Sequence, residues 1–68
     1  MKIGDKILVF DYKLWNGKDE GDNSQFFKPA TILNIYTYYP AGELADVKFH
    51  HDNRISFGHF TNVMKEYK

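Results

Sequence analysis

The residues of this 68-residue chain whose types could do chemistry are His50, His51 and His59, Ser24 and Ser56, and the polar run Asp19, Glu20, Asp22 and Asn23. Zinc needs three or four converging ligands, and consecutive histidines on a strand point to opposite faces, so His50 and His51 do not share a metal. Adding His59 produces no ligand spacing of a known kind. The polar run lacks the alternating oxygen ligands and distal glutamate of a calcium loop and reads as a solvated loop. Neither serine sits in a nucleophile motif, there is no cysteine, and no glycine loop of the phosphate-cradling kind occurs. The residues therefore point away from catalysis, and they call for no metal and no cofactor.

Recognition chemistry is better represented. Trp15 stands at the mouth of the polar loop, where it either stacks on a ligand or lids the interior. Tyr36, Tyr38 and Tyr39 cluster beside Pro40, and rigid rings supply contact area at low entropy cost. The competing explanation is that two of the three pack across strands. Asp52, in a predicted tight turn, and Arg54, just after it, complete the expected binding set of Trp15, Tyr36, Tyr38, Tyr39, Asp52 and Arg54.

These residues must be positioned by short strands. Alternation over 6–14 predicts a first strand after a turn at Ile3, Gly4 and Asp5, with Gly4 free to take positive φ. Apolar residues on both faces of this run suit a strand with one side inward and the other partly covered by a loop. Residues 15–25 break the pattern and read as a long loop. A second strand is expected over 26–39. Ala30 and Ile32 share one face while Leu33 and Ile35 share the other, so placing Ile32 and Ile35 together inside requires a bulge near Asn34. A turn at 39–43 leads to a third strand over 44–51, with Val47 and Phe49 inward. Asp52 and Asn53 predict a two-residue hairpin turn into a fourth strand over 54–58 that contributes Ile55 and Phe57 to the core. One helical turn is expected at 59–62 and a closing strand at 63–66. Short strands at this spacing, with no sustained 3.6-residue period, indicate an all-β fold, and closure into a small barrel would remove its exposed edges.

The run IGDKILVF, then KPATIL, then ADVKF, a tight turn, an apolar strand and a one-turn helix resembles the Tudor, KOW and agenet group of SH3-like barrels. The matching positions are Gly4 and Asp5 before the first strand, Ala30 and Ile32 in the second, and Asp46, Val47 and Phe49 in the third. The resemblance implies a single five-stranded SH3-like (Tudor-like) barrel over residues 1–68 with a short helical turn near the C-terminus. It also implies peptide binding, often of methylated lysine or arginine in an aromatic cage, for which Trp15, Tyr36, Tyr38 and Tyr39 are available. The stretch His51, Asp52, Asn53, Arg54 departs from the aromatic and glycine usual in that hairpin.

Composition sets the outer bounds. Lys plus Arg equals Asp plus Glu at nine each, whereas affinity for phosphates ordinarily shows as a basic excess. A protein or peptide partner is therefore expected. A KOW-like nucleic-acid interface using Lys28, Lys48, Arg54, Lys65 and Lys68 is the alternative. Charges at Lys2, Asp5, Lys6 and Asp11 leave no apolar run of signal-peptide length, and no segment reaches the roughly 20 apolar residues of a membrane span. A secreted domain of this size would usually be disulfide-rich, so a cytoplasmic location is expected. The expected form is a monomer or weak homo-oligomer acting as an adaptor, inhibitor or small accessory subunit. Chains this compact are common among phage-encoded and other viral or mobile-element regulators.

Overall fold

The computed structural model describes residues 1–17 and 24–67. The run Asp19, Glu20, Asp22 and Asn23, and Lys68, lie outside the described residues. Five antiparallel strands, β1 (Lys6–Phe10), β2 (Phe27–Tyr38), β3 (Gly42–Phe49), β4 (Ile55–Phe60) and β5 (Lys65–Glu66), form one sheet in the order β4-β3-β2-β1-β5. The all-β expectation therefore holds. Among the described residues, the ladders join sequential neighbours and β1 to β5, and none joins the two edge strands β4 and β5. Among the described residues no helix is long and apolar enough to cross a membrane.

One face of the sheet makes the core. Val9, Ala30, Ile32, Ala45, Val47 and Phe49 are buried together, with Ile7, Ile35 and Met64 packed against them. Their register explains this: Ile7 lies opposite Ala30, Ala30 opposite Phe49, and Ile32 opposite Val47, and residues directly opposite share a face. The β2–β3 register shifts between Ile32 and Asn34, leaving Leu33 unpaired and half-exposed. That bulge is the one required by the odd spacing of Ile32 and Ile35, and both residues do face inward. Gly4 takes φ +94° and its N–H donates to the Ile32 carbonyl at 2.8 Å, which docks the entering turn onto β2.

Several boundaries move for identifiable reasons. The first strand stops at Phe10, not at residue 14, because Asp11 caps a one-turn helix, α1 (Tyr12–Trp15). The Asp11 carboxylate accepts from the amides of Lys13 and Leu14 at 3.0 and 3.4 Å, satisfying N–H groups that a helix start leaves free. Asn16 ends α1 in the left-handed region, φ 40°, with its N–H donating to the Tyr12 carbonyl at 2.9 Å. A 3-10 turn at Ser24–Phe26 delays β2 by one residue relative to the expectation. β3 begins earlier, at Gly42, and ends at Phe49.

The hairpin between β3 and β4 has five residues, 50–54, not two. Asp52 accepts from the Arg54 amide at 3.0 Å, Asn53 takes φ 57°, and the Phe49 amide closes the loop on the Arg54 carbonyl at 2.9 Å. β4 therefore starts one residue late and runs to Phe60, so the helical turn falls at Thr61–Val63 instead of 59–62, and β5 is only Lys65–Glu66.

The largest correction concerns which side of β4 faces in. Val47 lies opposite Ser56 and Ala45 opposite His59, which sends Ile55 and Phe57 outward at 50% and 73% exposure. Between these pairs the register shifts, so Phe57 and Gly58 together oppose Asp46. Gly58 makes that bulge at φ +72°, where a side chain would be strained.

Candidate functional site

The charged centre of the molecule is Asp11, whose side chain is fully buried. Beyond the two helix amides, it receives Arg54 Nη2 at 2.6 Å and His51 Nε2 at 3.0 Å from the β3–β4 hairpin. The Arg54 guanidinium also lies 5.0 Å from the Phe49 ring centroid and 3.6 Å from Asp52, and His51 Nδ1 is 3.9 Å from Asp52. Burial alone would raise the Asp11 carboxyl, but the hydrogen bonds from Arg54, His51 and the Leu14 amide, with the Arg54 charge, outweigh it and hold the group below its usual range. The arrangement is a clip: a carboxylate at the end of β1 joins α1 to a hairpin about 40 residues away.

Around that clip the predicted site residues separate into groups. Asp52 and Arg54 belong to the clip, and Trp15 sits on the helix that Asp11 caps, its amide donating to the Asp11 carbonyl at 3.1 Å. Trp15 packs edge-on to Phe10 and Tyr12, with ring centroids 6.1 and 6.5 Å away, and Phe10 in turn meets Phe27 edge-on at 5.3 Å. Tyr36, Tyr38 and Tyr39 belong to the far half of β2 and the turn after it. Among the described residues no polar or ring contact joins them to Trp15 or to Arg54.

The tyrosines instead join residues that the sequence reading assigned to the core or passed over. Tyr36 lies opposite Leu44, and Leu44 opposite Phe60, so these three form a row on the outer face of β2, β3 and β4. The Tyr36 hydroxyl donates to Asp46 Oδ1 at 3.1 Å, and the Gly58 amide donates to the same oxygen at 3.1 Å. One carboxylate thus ties β2 to the β4 bulge across β3. Partial burial and the Asp46 carboxylate hold the Tyr36 phenol above 10.0. Tyr38, Tyr39, Phe57 and Phe60 remain exposed at 63%, 92%, 73% and 43%. The sign that Phe57 and Phe60 belong outside was Gly58 between them, a residue that marks a bulge when it interrupts an apolar strand.

A second apolar feature is a surface notch of about 160 Å³ lined by Phe10, Tyr12, Phe27 and Val63. It was not anticipated, because its walls come from β1, α1, β2 and the turn before β5. The Lys65 ammonium stands 4.3 Å from the ring centroid of Phe27, one of the notch's walls.

One hydrogen-bonded hydroxyl and imidazole occurs inside: Ser56 Oγ lies 2.6 Å from His59 Nε2. His59 is buried beneath Tyr12, stacked at 5.9 Å, and beside Phe49. Burial first of all, together with the nearby Arg54 charge, holds its pKa below 6.5 against the opposing Asp11 and Asp46 charges. A neutral imidazole beside a hydroxyl is the start of a nucleophile pair, but neither residue lines the notch, and the contact reads as satisfaction of a buried polar group. His50 is engaged separately, with Nε2 2.7 Å from Thr31 Oγ1. Among the described residues no group of three histidine or carboxylate side chains could hold a metal ion. Comparison with protein-family models, with curated proteins and with solved structures found no match.

Proposed function

We propose that the chain is a non-catalytic protein-recognition module whose partner docks on the outer face of β2, β3 and β4, with Tyr36, Tyr38, Phe57 and Phe60 as anchors. The observation that carries this reading is the exposure of Tyr38, Phe57 and Phe60 on the face that also carries half-buried Tyr36. Contiguous apolar surface of this kind on a small domain marks an interaction site more often than chance exposure does, and aromatic anchors dominate interface energetics. Asp46 supports it by holding the Tyr36 side chain and the backbone of the Phe57–Gly58 bulge, so Tyr36 loses little rotamer entropy on docking. In this reading Asp52 and Arg54 hold the frame through Asp11 and do not meet the partner.

The same proposal takes the domain as an SH3-like barrel of the Tudor, KOW and agenet kind, working in the cytoplasm as an adaptor, inhibitor or small accessory subunit. Five antiparallel strands with bulges at Leu33 and at Phe57–Gly58 support that fold reading, since bulges are how small sheets curl. A nucleic-acid partner has less support: the aromatic face carries Asp46, and the formal charge is zero.

The test is capture of partners from the native host with the wild-type chain, Phe57→Ser, Tyr38→Ala and Trp15→Ala. Loss of one specific protein with Phe57→Ser and Tyr38→Ala, but not with Trp15→Ala, is expected. Undiminished recovery with both β-face variants would discredit this surface. Steep loss of binding between about 50 and 200 mM salt would shift the reading to nucleic acid.

A further inference from the structure

The notch between β1, α1 and β2 has a chemistry of its own, apart from the aromatic face. Its walls are apolar: Phe10, Tyr12, Phe27 and Val63. Its volume, about 160 Å³, suits one side chain of leucine or phenylalanine size. The walls are held by several contacts. Phe10 packs against Tyr12 at 4.8 Å, Phe26 at 5.9 Å and Phe27 at 5.3 Å, and Tyr12 is stacked on buried His59. The Asp11 clip fixes the helix that carries Tyr12.

Two lysines stand on the sheet face that carries Phe10 and Phe27. Lys65 lies opposite Leu8 on the β1–β5 ladder and holds its ammonium over Phe27. Lys6, on the same strand face as Leu8 and Phe10, holds its ammonium 4.9 Å from the Tyr67 ring centroid. Among the described residues, no carboxylate lies within ion-pair distance of Lys65. An apolar recess of side-chain volume, with an ammonium on one of its walls that pairs with no carboxylate among the described residues, complements an apolar group that carries a carboxylate close by.

We infer that this notch binds the carboxyl-terminal residue of a peptide, with a phenylalanine- or leucine-sized side chain seated among Phe10, Tyr12, Phe27 and Val63 and the terminal carboxylate on Lys65. The side chain displaces water from apolar walls, and the carboxylate sets polarity and orientation. The ammonium exchanges a ring face for an ion pair, which requires only rotation of the exposed Lys65 side chain.

The test is a titration of the ¹⁵N-labelled chain with N-acetyl-phenylalanine and, separately, with its carboxamide, following backbone amide shifts. For a probe of this size a dissociation constant of order millimolar is expected, with shifts centred on Phe10, Tyr12, Phe27, Val63 and Lys65. The carboxylate should bind about two- to fivefold more tightly than the amide, the range of an exposed ion pair. Lys65→Met should bring the carboxylate down to the level of the amide. Val63→Trp, at an exposed position, should fill the recess and abolish both while leaving the far-UV circular dichroism unchanged. Equal affinity for carboxylate and amide in the wild type would overturn the assignment, as would shifts located elsewhere or binding that survives Val63→Trp. These readouts are independent of Tyr38 and Phe57, so failure here leaves the docking proposal standing.

Discussion

Replacing Asp11 by alanine tests the clip. The change removes the α1 cap, worth about 1 kcal/mol. It also strips a buried carboxylate from Arg54 and His51. Breaking a fully buried pair costs about 3 to 5 kcal/mol. Here the Arg54 and His51 side chains are 25% and 32% exposed and regain water, so the total should fall near 2 to 4 kcal/mol. A chain of this length has roughly 3 to 10 kcal/mol of stability in all, so the loss is large. Asp11→Asn keeps an oxygen for the Lys13 and Leu14 amides but not the charge, and should lose about 1 to 3 kcal/mol. Urea unfolding of wild type, Asp11→Ala, Arg54→Ala and the double variant closes a cycle whose coupling energy should exceed about 1 kcal/mol. The clip also has a pH signature. The folded-state pKa of Asp11 is depressed, so the unfolded chain binds more protons at acid pH and the contribution is full above about pH 4. That charge-dependent part is lost as pH falls through the folded value, and the gap between wild type and Asp11→Ala should narrow there to what the neutral cap still contributes. A coupling energy within about 0.5 kcal/mol of zero, or a stability gap that persists unchanged to pH 2, would refute the reasoning.

Other consequences can be measured on the same purified chain. The folded-state pKa of His59 is lowered, so the unfolded chain takes up its proton first as pH falls; stability should begin to drop below about pH 6.5, and His59→Gln should flatten that limb of the unfolding profile. Ser56→Ala should cost about 1 to 3 kcal/mol by removing the partner of a buried ring nitrogen. Phe49→Ala should lose about 3 to 5 kcal/mol whereas Phe57→Ala should stay within about 0.5, a contrast that vanishes if β4 faces the other way and buries Phe57 too. Gly58→Ala meets no close neighbour, its nearest contact being the Tyr36 hydroxyl at 3.9 Å, so any loss of about 1 to 2 kcal/mol in thermal melts reports the left-handed backbone alone.

Much of the sheet was legible because strand alternation is local. Val47 and Phe49 announced themselves by charged or polar neighbours on either side, and Ile32 with Ile35 demanded a bulge that the β2–β3 ladder contains. The end of β1 was legible in principle: Asp11 followed by Tyr-Lys-Leu-Trp and then Asn-Gly carries cap signals at both ends of one helical turn. The apolar alternation through Leu14 masked them. Of the expected binding residues, Tyr36 and Tyr38 share the aromatic face, while Trp15, Asp52 and Arg54 gather near the clip.

What the amino-acid order determined by itself was the strand content and the inward set of β2 and β3, since those depend on neighbours one or two positions apart. Tertiary structure decided the rest. β4 reads equally well with Ile55 and Phe57 inside, and only its register on β3, with Ser56 opposite Val47 and His59 opposite Ala45, turns them out. Likewise the pairing of Asp11 with His51 and Arg54 spans 40 and 43 residues, and no local pattern encodes a contact at that separation. A period of two specifies that faces alternate, but which face is buried is set by the strand alongside.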